Sequence, residues 1–320
     1  MSDLHDARIV VTGASGFLGR HLLPRMQARY GADNVVGLSS RDYDLMDAGQ
    51  VRRMFDEQKP DVLVHLAAYS GGIGINRARP ADFYFRNTIL TALAFQEAAL
   101  RKIRKMIYPV GGCSYPANAV SPIDESKMWD GFPQPDSAGY SVAKKLGIVA
   151  SQSYRQQYGL NSVILVPGNM YGEYDNFRES ESHVIPAMVR RYYEQMRANA
   201  DSIVMWGSGD PRRDFVYAGD VAEAIIALLE RYDSSDPVNI SSGTSTSIRE
   251  LAELIKELVG FRGETVWDTT KPEGQHVRIY GVTKMKSLGI TCPTTLRDGL
   301  RKTIDWLAKN YHARGDGIRL

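Results

Sequence analysis

Cysteine is scarce in this 320-residue chain: Cys113 and Cys292 are the only two. A disulfide-built scaffold is therefore excluded, and the chain reads as a protein of a reducing, cytoplasmic compartment. No apolar run reaches the ~18 residues of a membrane-spanning helix. The opening Met1-Ser2-Asp3-Leu4-His5-Asp6 is too polar and acidic for a secretion signal. An excess of one charge is also missing. The 39 Lys and Arg residues balance 37 Asp and Glu, leaving no basic stripe for nucleic acid. The pairs Arg190-Arg191, Arg212-Arg213 and Lys144-Lys145 are long enough only for local phosphate sites. No internal repeat, low-complexity linker or metal-ligand motif is present. At 43% hydrophobic and 24% charged residues, the composition is that of a folded soluble protein, not of a disordered or fibrous one.

What is present alternates between strands and helices. Residues 8–12 read as a buried strand, followed by a helix to about Tyr30. Further strands are expected at 34–38, 61–67, 105–110 and 162–166, with helices at 50–58, 80–101 and 139–158. Continuously apolar strands between helices mean parallel βαβ units covered on both faces. After Pro167 the rhythm loosens, with helices near 183–197, 219–231, 247–259 and 295–309. The expected fold is α/β: a Rossmann-type doubly wound parallel sheet with a smaller C-terminal α/β substrate lobe. The expected division is a dinucleotide-binding domain at 1–168 with a returning segment at about 214–241, and a substrate lobe at 169–213 and 242–320.

The first strand runs into Thr12-Gly13-Ala14-Ser15-Gly16-Phe17-Leu18-Gly19. Glycines at 13, 16 and 19, set between a strand and a helix, let a pyrophosphate approach the backbone and the helix N-terminus. Gly13, Ser15, Gly16, Phe17, Leu18 and Gly19 are thus candidate cofactor contacts, with Ala67 and Ala68 at the end of the third strand. The second strand ends in Leu38-Ser39-Ser40-Arg41-Asp42. Ser39, Ser40 and Arg41 suit a 2′-phosphate and favour NADP(H) over NAD(H), while Asp42 is the counter-signal. Tyr140 and Lys144 stand one helical turn apart on one face. An ammonium there would favour the phenolate and let Tyr140 exchange a proton near neutral pH. The same spacing recurs at Tyr280 and Lys284, late in the chain, and is read as coincidental.

Several further motifs follow in order: Gly71-Gly72-Ile73, Cys113-Ser114-Tyr115-Pro116, Asn169-Met170-Tyr171-Gly172, Ser182-His183-Val184-Ile185-Pro186, Trp206-Gly207-Ser208-Gly209 and Arg213-Asp214-Phe215. With the glycine loop and the Tyr140/Lys144 helix, they resemble the GDP-L-fucose synthase family of extended short-chain dehydrogenase/reductases, from about residue 8 to residue 310. The resemblance implies epimerisation and C4 reduction of a GDP-linked 4-keto-6-deoxy-hexose. By it, Cys113 and His183 move protons at the carbons flanking the ketone. NADPH is the hydride source, Tyr140 supplies the C4 proton and Lys144 supports it. It also implies nucleotide-sugar contacts at Gly72, Asn169, His183, Arg191, Trp206, Arg213 and Lys271. A homodimer through the helices at 80–101 and 139–158 is implied as well.

The chain leaves the family pattern at one place. Where relatives carry a Ser or Thr whose hydroxyl bonds the substrate oxygen, this chain has Gly111, followed by Gly112. Losing one such donor typically costs ~10²–10³ in rate. A water, a glycine N–H or Ser114 could stand in. Two other functions stay open on this ground: a nucleotide-sugar epimerase without net reduction, and a non-catalytic dinucleotide sensor.

Overall fold

The run Ile9-Val10-Val11-Thr12 is buried along its whole length, as a strand covered on both faces must be. The computed structural model describes residues 4, 6–178, 181–271 and 274–311. The first half comprises β1 (Ile9–Thr12), α1 (Phe17–Tyr30), β2 (Val35–Leu38), α2 (Ala48–Gln58), β3 (Val62–His65), α3 (Ile73–Ala78), α4 (Pro80–Leu100), β4 (Lys105–Pro109), α5 (Ala138–Tyr158) and β5 (Ser162–Pro167). There follow β6 (Asn169–Tyr171), α6 (Val184–Arg197), β7 (Ser202–Trp206), β8 (Arg212–Arg213), β9 (Phe215–Tyr217), α7 (Ala218–Arg231) and β10 (Val238–Ile240). The chain continues with β11 (Thr246–Ser247), α8 (Ile248–Val259), β12 (Glu264–Asp268), β13 (Val277–Arg278), α9 (Thr283–Ser287) and α10 (Leu296–Asn310).

Six strands form one parallel sheet in the order β10-β5-β4-β3-β1-β2. After β2 the chain crosses back over β1 to reach β3. The carboxyl ends of β1 and β3 therefore diverge into a crevice, where α/β sheets bind ligands. Side chains alternate across the sheet. Ile9 and Val11 meet Leu22 and Met26 of α1 and Val221 and Ile225 of α7 on one face. Val10, Leu63, Met106 and Tyr108 meet Phe95 and Ala98 of α4 and Ile148 of α5 on the other.

After β5 the chain leaves the sheet, and it returns with α7 and β10. The excursions build a separate core from α6, α8 and α10, including Val189, Tyr192, Leu251, Ile255, Leu300 and Leu307. The small sheets β11-β8-β13, β12-β7 and β6-β9 edge it. Ser247 starts α8 with a reciprocal capping box, its side chain accepting from Glu250 N–H while Glu250 accepts from Ser247 N–H. The long helices lie where periodicity places them. The short β6 to β9 and β11 to β13, of two to five residues, are too brief to carry a period.

Helix α5 comes close to β4 only because residue 147 is glycine: a Cβ there would overlap the Tyr108 ring. Gly147→Ala should overpack this contact and cost about 1–3 kcal/mol. Thermal melting checks it; an unchanged melting temperature would contradict this packing.

Candidate active site

A cavity of about 920 Å³ opens along the carboxyl ends of the central strands. At one end lies the glycine loop. Gly13 has φ +70, and a Cβ there would stand 2.8 Å from Ala67 N; one on Gly19 would overlap Gly13 O. The first glycine makes the turn and the third lets α1 approach the strand end. Gly16 is the N-cap of α1 and offers no side chain, so the first-turn N–H groups are left for a ligand. Ser15, Gly16, Phe17, Leu18, Gly19, Ala67 and Ala68 all line the cavity. A side chain at 13 or 19 would fill this cradle, so these residues fit the pyrophosphate of a dinucleotide. Behind them, Thr12 Oγ1 accepts from Ala67 N–H at 3.4 Å and hydrogen-bonds His65 Nδ1 at 2.9 Å. Burial, helped by Lys144, drives His65 down to about 3, so it stays neutral and acts as a structural tie.

Ser39 and Ser40 line the cavity beyond β2, while Arg41 is exposed and outside its wall. The Asp42 carboxylate folds back onto Ser39, accepting from its N–H at 2.7 Å and its hydroxyl at 2.8 Å. Those bonds hold the Asp42 carboxyl below its usual range. Asp42 thus engages Ser39 rather than the cavity.

Tyr140, Lys144, Cys113 and His183 stand around the same cavity. Cys113 sits in a 3-10 turn, Gly112–Ser114. A Cβ on Gly111 would lie 3.0 Å from Tyr140 Cε1, 3.1 Å from Cys113 Sγ and 3.6 Å from Tyr140 Oη. Residue 111 therefore lies between phenol and thiol. Its φ of −67 is open to any residue, so the limit there is crowding and not backbone strain. Burial raises the Cys113 thiol, against a smaller opposite pull from its hydrogen bond to Ser141, and so favours the protonated form. His183 is the exposed N-cap of α6.

Burial is the largest influence on both Tyr140 and Lys144 in this arrangement. The Lys144 ammonium lies 3.8 Å over the Tyr108 ring. Tyr140 is shifted up by burial first, then by Cys113 and Tyr108. Burial drives Lys144 down to about 7. In this arrangement desolvation governs both groups and holds the proton on Tyr140. Ser114 does not supply the hydroxyl missing at 111. It is fully buried, and its Oγ donates to the Ser141 carbonyl at 2.9 Å.

At the far end, Asn169 and Arg213 line the cavity. Asn169 Nδ2 donates to Asp214 O at 2.9 Å, and the Arg213 guanidinium donates to Gln275 O at 2.6 Å. Four expected substrate contacts fall outside the wall. Gly72 is a packing glycine: its N–H donates to Glu181 O at 2.8 Å, and a Cβ would overlap Ser182 O. Arg191 turns its guanidinium to the Val204 carbonyl and reaches Met205 Sδ at 3.6 Å. Trp206 is 66% exposed on β7, with Lys271 Nζ 6.0 Å from its ring centre. Trp206 and Lys271 form an open aromatic and cationic pair beyond the cavity. Sequence reasoning passed over Tyr280, which lines the cavity. It is not helical and does not pair with Lys284, whose Nζ donates to Pro237 O at 2.8 Å. Its bridge to Ile123 depends on a contact far along the chain that no local pattern announces. Among the described residues no group of His, Cys, Asp and Glu is placed to hold a metal, and no helix is long and apolar enough to cross a membrane.

A doubly wound sheet, a glycine cradle at its switch point and a Tyr/Lys pair facing that cradle define a dinucleotide-dependent enzyme class. The model of the NAD dependent epimerase/dehydratase family matches residues 9–241. GDP-L-fucose synthase 1 of Arabidopsis thaliana is 39% identical over 310 residues, covering 97% of this chain and 95% of that protein. A GDP-6-OMe-4-keto-L-xylo-heptose reductase from C. jejuni superposes with a TM-score of 0.91 at 26% identity, over 97% of this chain and 100% of that one. A GDP-L-fucose synthetase from Naegleria fowleri bound to NADP gives a TM-score of 0.87 at 25% identity, over 97% of each chain. The chain belongs to the NAD dependent epimerase/dehydratase family and, within it, to the group of the GDP-L-fucose synthases.

The buried Lys144 gives a stability test with a defined sign. Its folded value of about 7 lies below the ~10.4 of an unfolded lysine, so the cost of burying its charge is full below pH 7 and fades as pH rises between those values. Lys144→Met should therefore raise the melting temperature more at pH 6 than at pH 9. An equal change at both would mean that Lys144 is not desolvated.

Proposed function

We propose that the chain is an NADP-dependent epimerase and C4 reductase of a GDP-linked 4-keto-6-deoxy-hexose. The observation that carries this is the convergence of Tyr140 and Cys113 on residue 111, with His183 on the same cavity wall. The C4 ketone acidifies the C–H bonds on both sides of it. His183, exposed to the cavity, takes a proton from one flanking carbon, and the protonated Cys113 thiol returns one on the opposite face, inverting the centre through an enolate. NADPH, when bound, is the hydride source for C4. Tyr140, which burial keeps protonated, donates to the C4 oxygen as charge develops there. Lys144 holds an ammonium over Tyr108 and restores the Tyr140 proton. Asn169 and Arg213 meet the polar part of the sugar nucleotide. Trp206, Lys271 and Arg191 take the base and phosphates once the ligand extends past the cavity. The proposed preference for NADP(H) over NAD(H) rests on the Ser40 hydroxyl at the cavity edge, with Arg41 reaching in from the rim; the Ser39 hydroxyl is held by Asp42. The proposed assembly is a homodimer through α4 and α5, which carry exposed Phe85, Leu146 and Val149.

A second reading, epimerisation without net reduction, is favoured by Gly111, which leaves no hydroxyl at the position between phenol and thiol. One experiment separates the two. The protein is mixed with NADPH and GDP-4-keto-6-deoxy-mannose in heavy water, with absorbance at 340 nm and NMR of the sugar as readouts. NADPH oxidation supports the first reading, and deuterium uptake without oxidation the second. Neither, with tight NADPH binding, means a dinucleotide sensor. Tyr140→Phe should abolish oxidation and keep deuterium uptake, while Cys113→Ser and His183→Ala should each lose uptake at a ring carbon. Uptake that survives both of the last two removes them from the mechanism.

Cofactor choice has its own test. Arg41→Ala should weaken NADPH binding about tenfold and leave NADH binding nearly unchanged, because only NADPH carries the 2′-phosphate. Titration of cofactor fluorescence measures both, and equal losses would show that Arg41 does not read the phosphate.

A further inference from the structure

Reduction of a ketone puts negative charge on its oxygen, and each donor aimed at that charge is worth ~10²–10³ in rate. Tyr140 is one donor. The main chain beside it carries no side chain at 111 or 112, and the Ser114 hydroxyl is already committed. A second phenol stands against the neighbouring glycine, residue 112. A Cβ on Gly112 would overlap the Tyr280 hydroxyl and stand 2.6 Å from Tyr280 Cζ. Tyr280 is 3% exposed and lines the cavity. The glycine pair is thus bracketed by two phenols, Tyr140 against residue 111 and Tyr280 against residue 112, with the Cys113 thiol next in line.

Tyr280 is held firmly there. Its N–H donates to Asp214 Oδ2 at 3.4 Å, and its main chain bridges to Ile123. Its ring lies against Tyr115 at 6.0 Å between centroids. Two residues earlier, the buried Arg278 guanidinium donates to Gly112 O at 2.9 Å, Tyr115 O at 3.1 Å and Pro116 O at 2.9 Å. The segment carrying Tyr280 is therefore pinned to the loop carrying Cys113. Burial, Cys113 and Asp214 keep the phenol protonated against the opposite pull of Arg278, which is the state a donor needs.

We propose that Tyr280 donates a hydrogen bond to the ketone oxygen of the sugar, as the second donor that residue 111 does not offer. This rests on the keto-sugar reductase reading above. It also replaces the expectation that Tyr280 plays no part because Tyr280 and Lys284 only mimic the catalytic pair.

The test uses the full chain with NADPH and GDP-4-keto-6-deoxy-mannose. If the wild-type protein does not oxidise NADPH, the reductase reading falls and this proposal falls with it. If it does, Tyr280→Phe, which deletes one oxygen, should lower kcat for NADPH oxidation about 10²-fold, with NADPH affinity and melting temperature kept. In the Gly111→Ser background, where a hydroxyl is restored beside Tyr140, the penalty of Tyr280→Phe should shrink at least tenfold. A kcat within threefold of wild type, or a penalty unchanged by Gly111→Ser, overturns the proposal while leaving the reductase reading intact. Should Tyr280→Phe melt early, 3,5-difluorotyrosine at 280 keeps the shape and makes the phenol more acidic. The alkaline limb of kcat should then move to lower pH, and an unmoved limb overturns the proposal.

Discussion

The arrangement of the cleft depends on one buried guanidinium. Arg278 donates to three carbonyls of the 112–116 loop. Gly112 O and Pro116 O also accept from Tyr115 N–H at 3.4 Å and Ala119 N–H at 3.2 Å, so the Tyr115 carbonyl is the acceptor that most depends on Arg278, at about 1–3 kcal/mol if left unpaired. Close by, the buried Asp214 accepts from Ser242 Oγ at 2.7 Å and from Gly243 N–H at 3.2 Å, besides Tyr280 N–H. Burial raises the Asp214 carboxyl, while those hydrogen bonds favour its charge. Cation and carboxylate together fasten β13 and the segment after it to the end of the main sheet. The cavity wall is therefore built from two parts of the chain whose relative position polar groups fix.

Glycine makes the complementary contribution. At 13, 19, 72, 112 and 147 a Cβ would meet main chain or an aromatic ring, so at these points the backbone or a neighbouring ring occupies the volume of a side chain. Each serves a different contact. Gly13 and Gly19 let strand and helix close on a phosphate-sized cradle. Gly72 brings the loop before α3 against the loop before α6, and Gly147 seats α5 on Tyr108. Gly112 makes room for a phenol. Close packing and ligand binding thus draw on the same residue type, which is why a count of glycines in the sequence does not sort them.

Much of this is legible in the sequence. The βαβ rhythm, the cradle at 13–19 and the helix bearing Tyr140 and Lys144 are local patterns, and local patterns survive folding. Placement relative to the cavity is less legible. Arg191 and Gly72 sit in the right motifs, yet one guanidinium turns to a strand carbonyl and the other residue is consumed in packing. Spacing along a helix places Lys144 one turn from Tyr140 but says nothing of burial, which raises the phenol and lowers the ammonium. Tyr280 carries no local signal of its position, because it meets Gly112, nearly 170 positions earlier, which has no side chain to suggest the contact.

That separation also sets an order of events during synthesis. Arg278 lies 166 residues after Gly112, and at about 5–20 residues per second of translation it leaves the ribosome roughly ten to thirty seconds later. Until then the Cys113 turn has its sheet but not its clamp, and the second phenol does not yet exist. The glycine cradle is complete much sooner, since its strands and α1 lie within the first 70 residues. A nascent chain would thus assemble its phosphate cradle first and the wall bearing Arg278 and Tyr280 last.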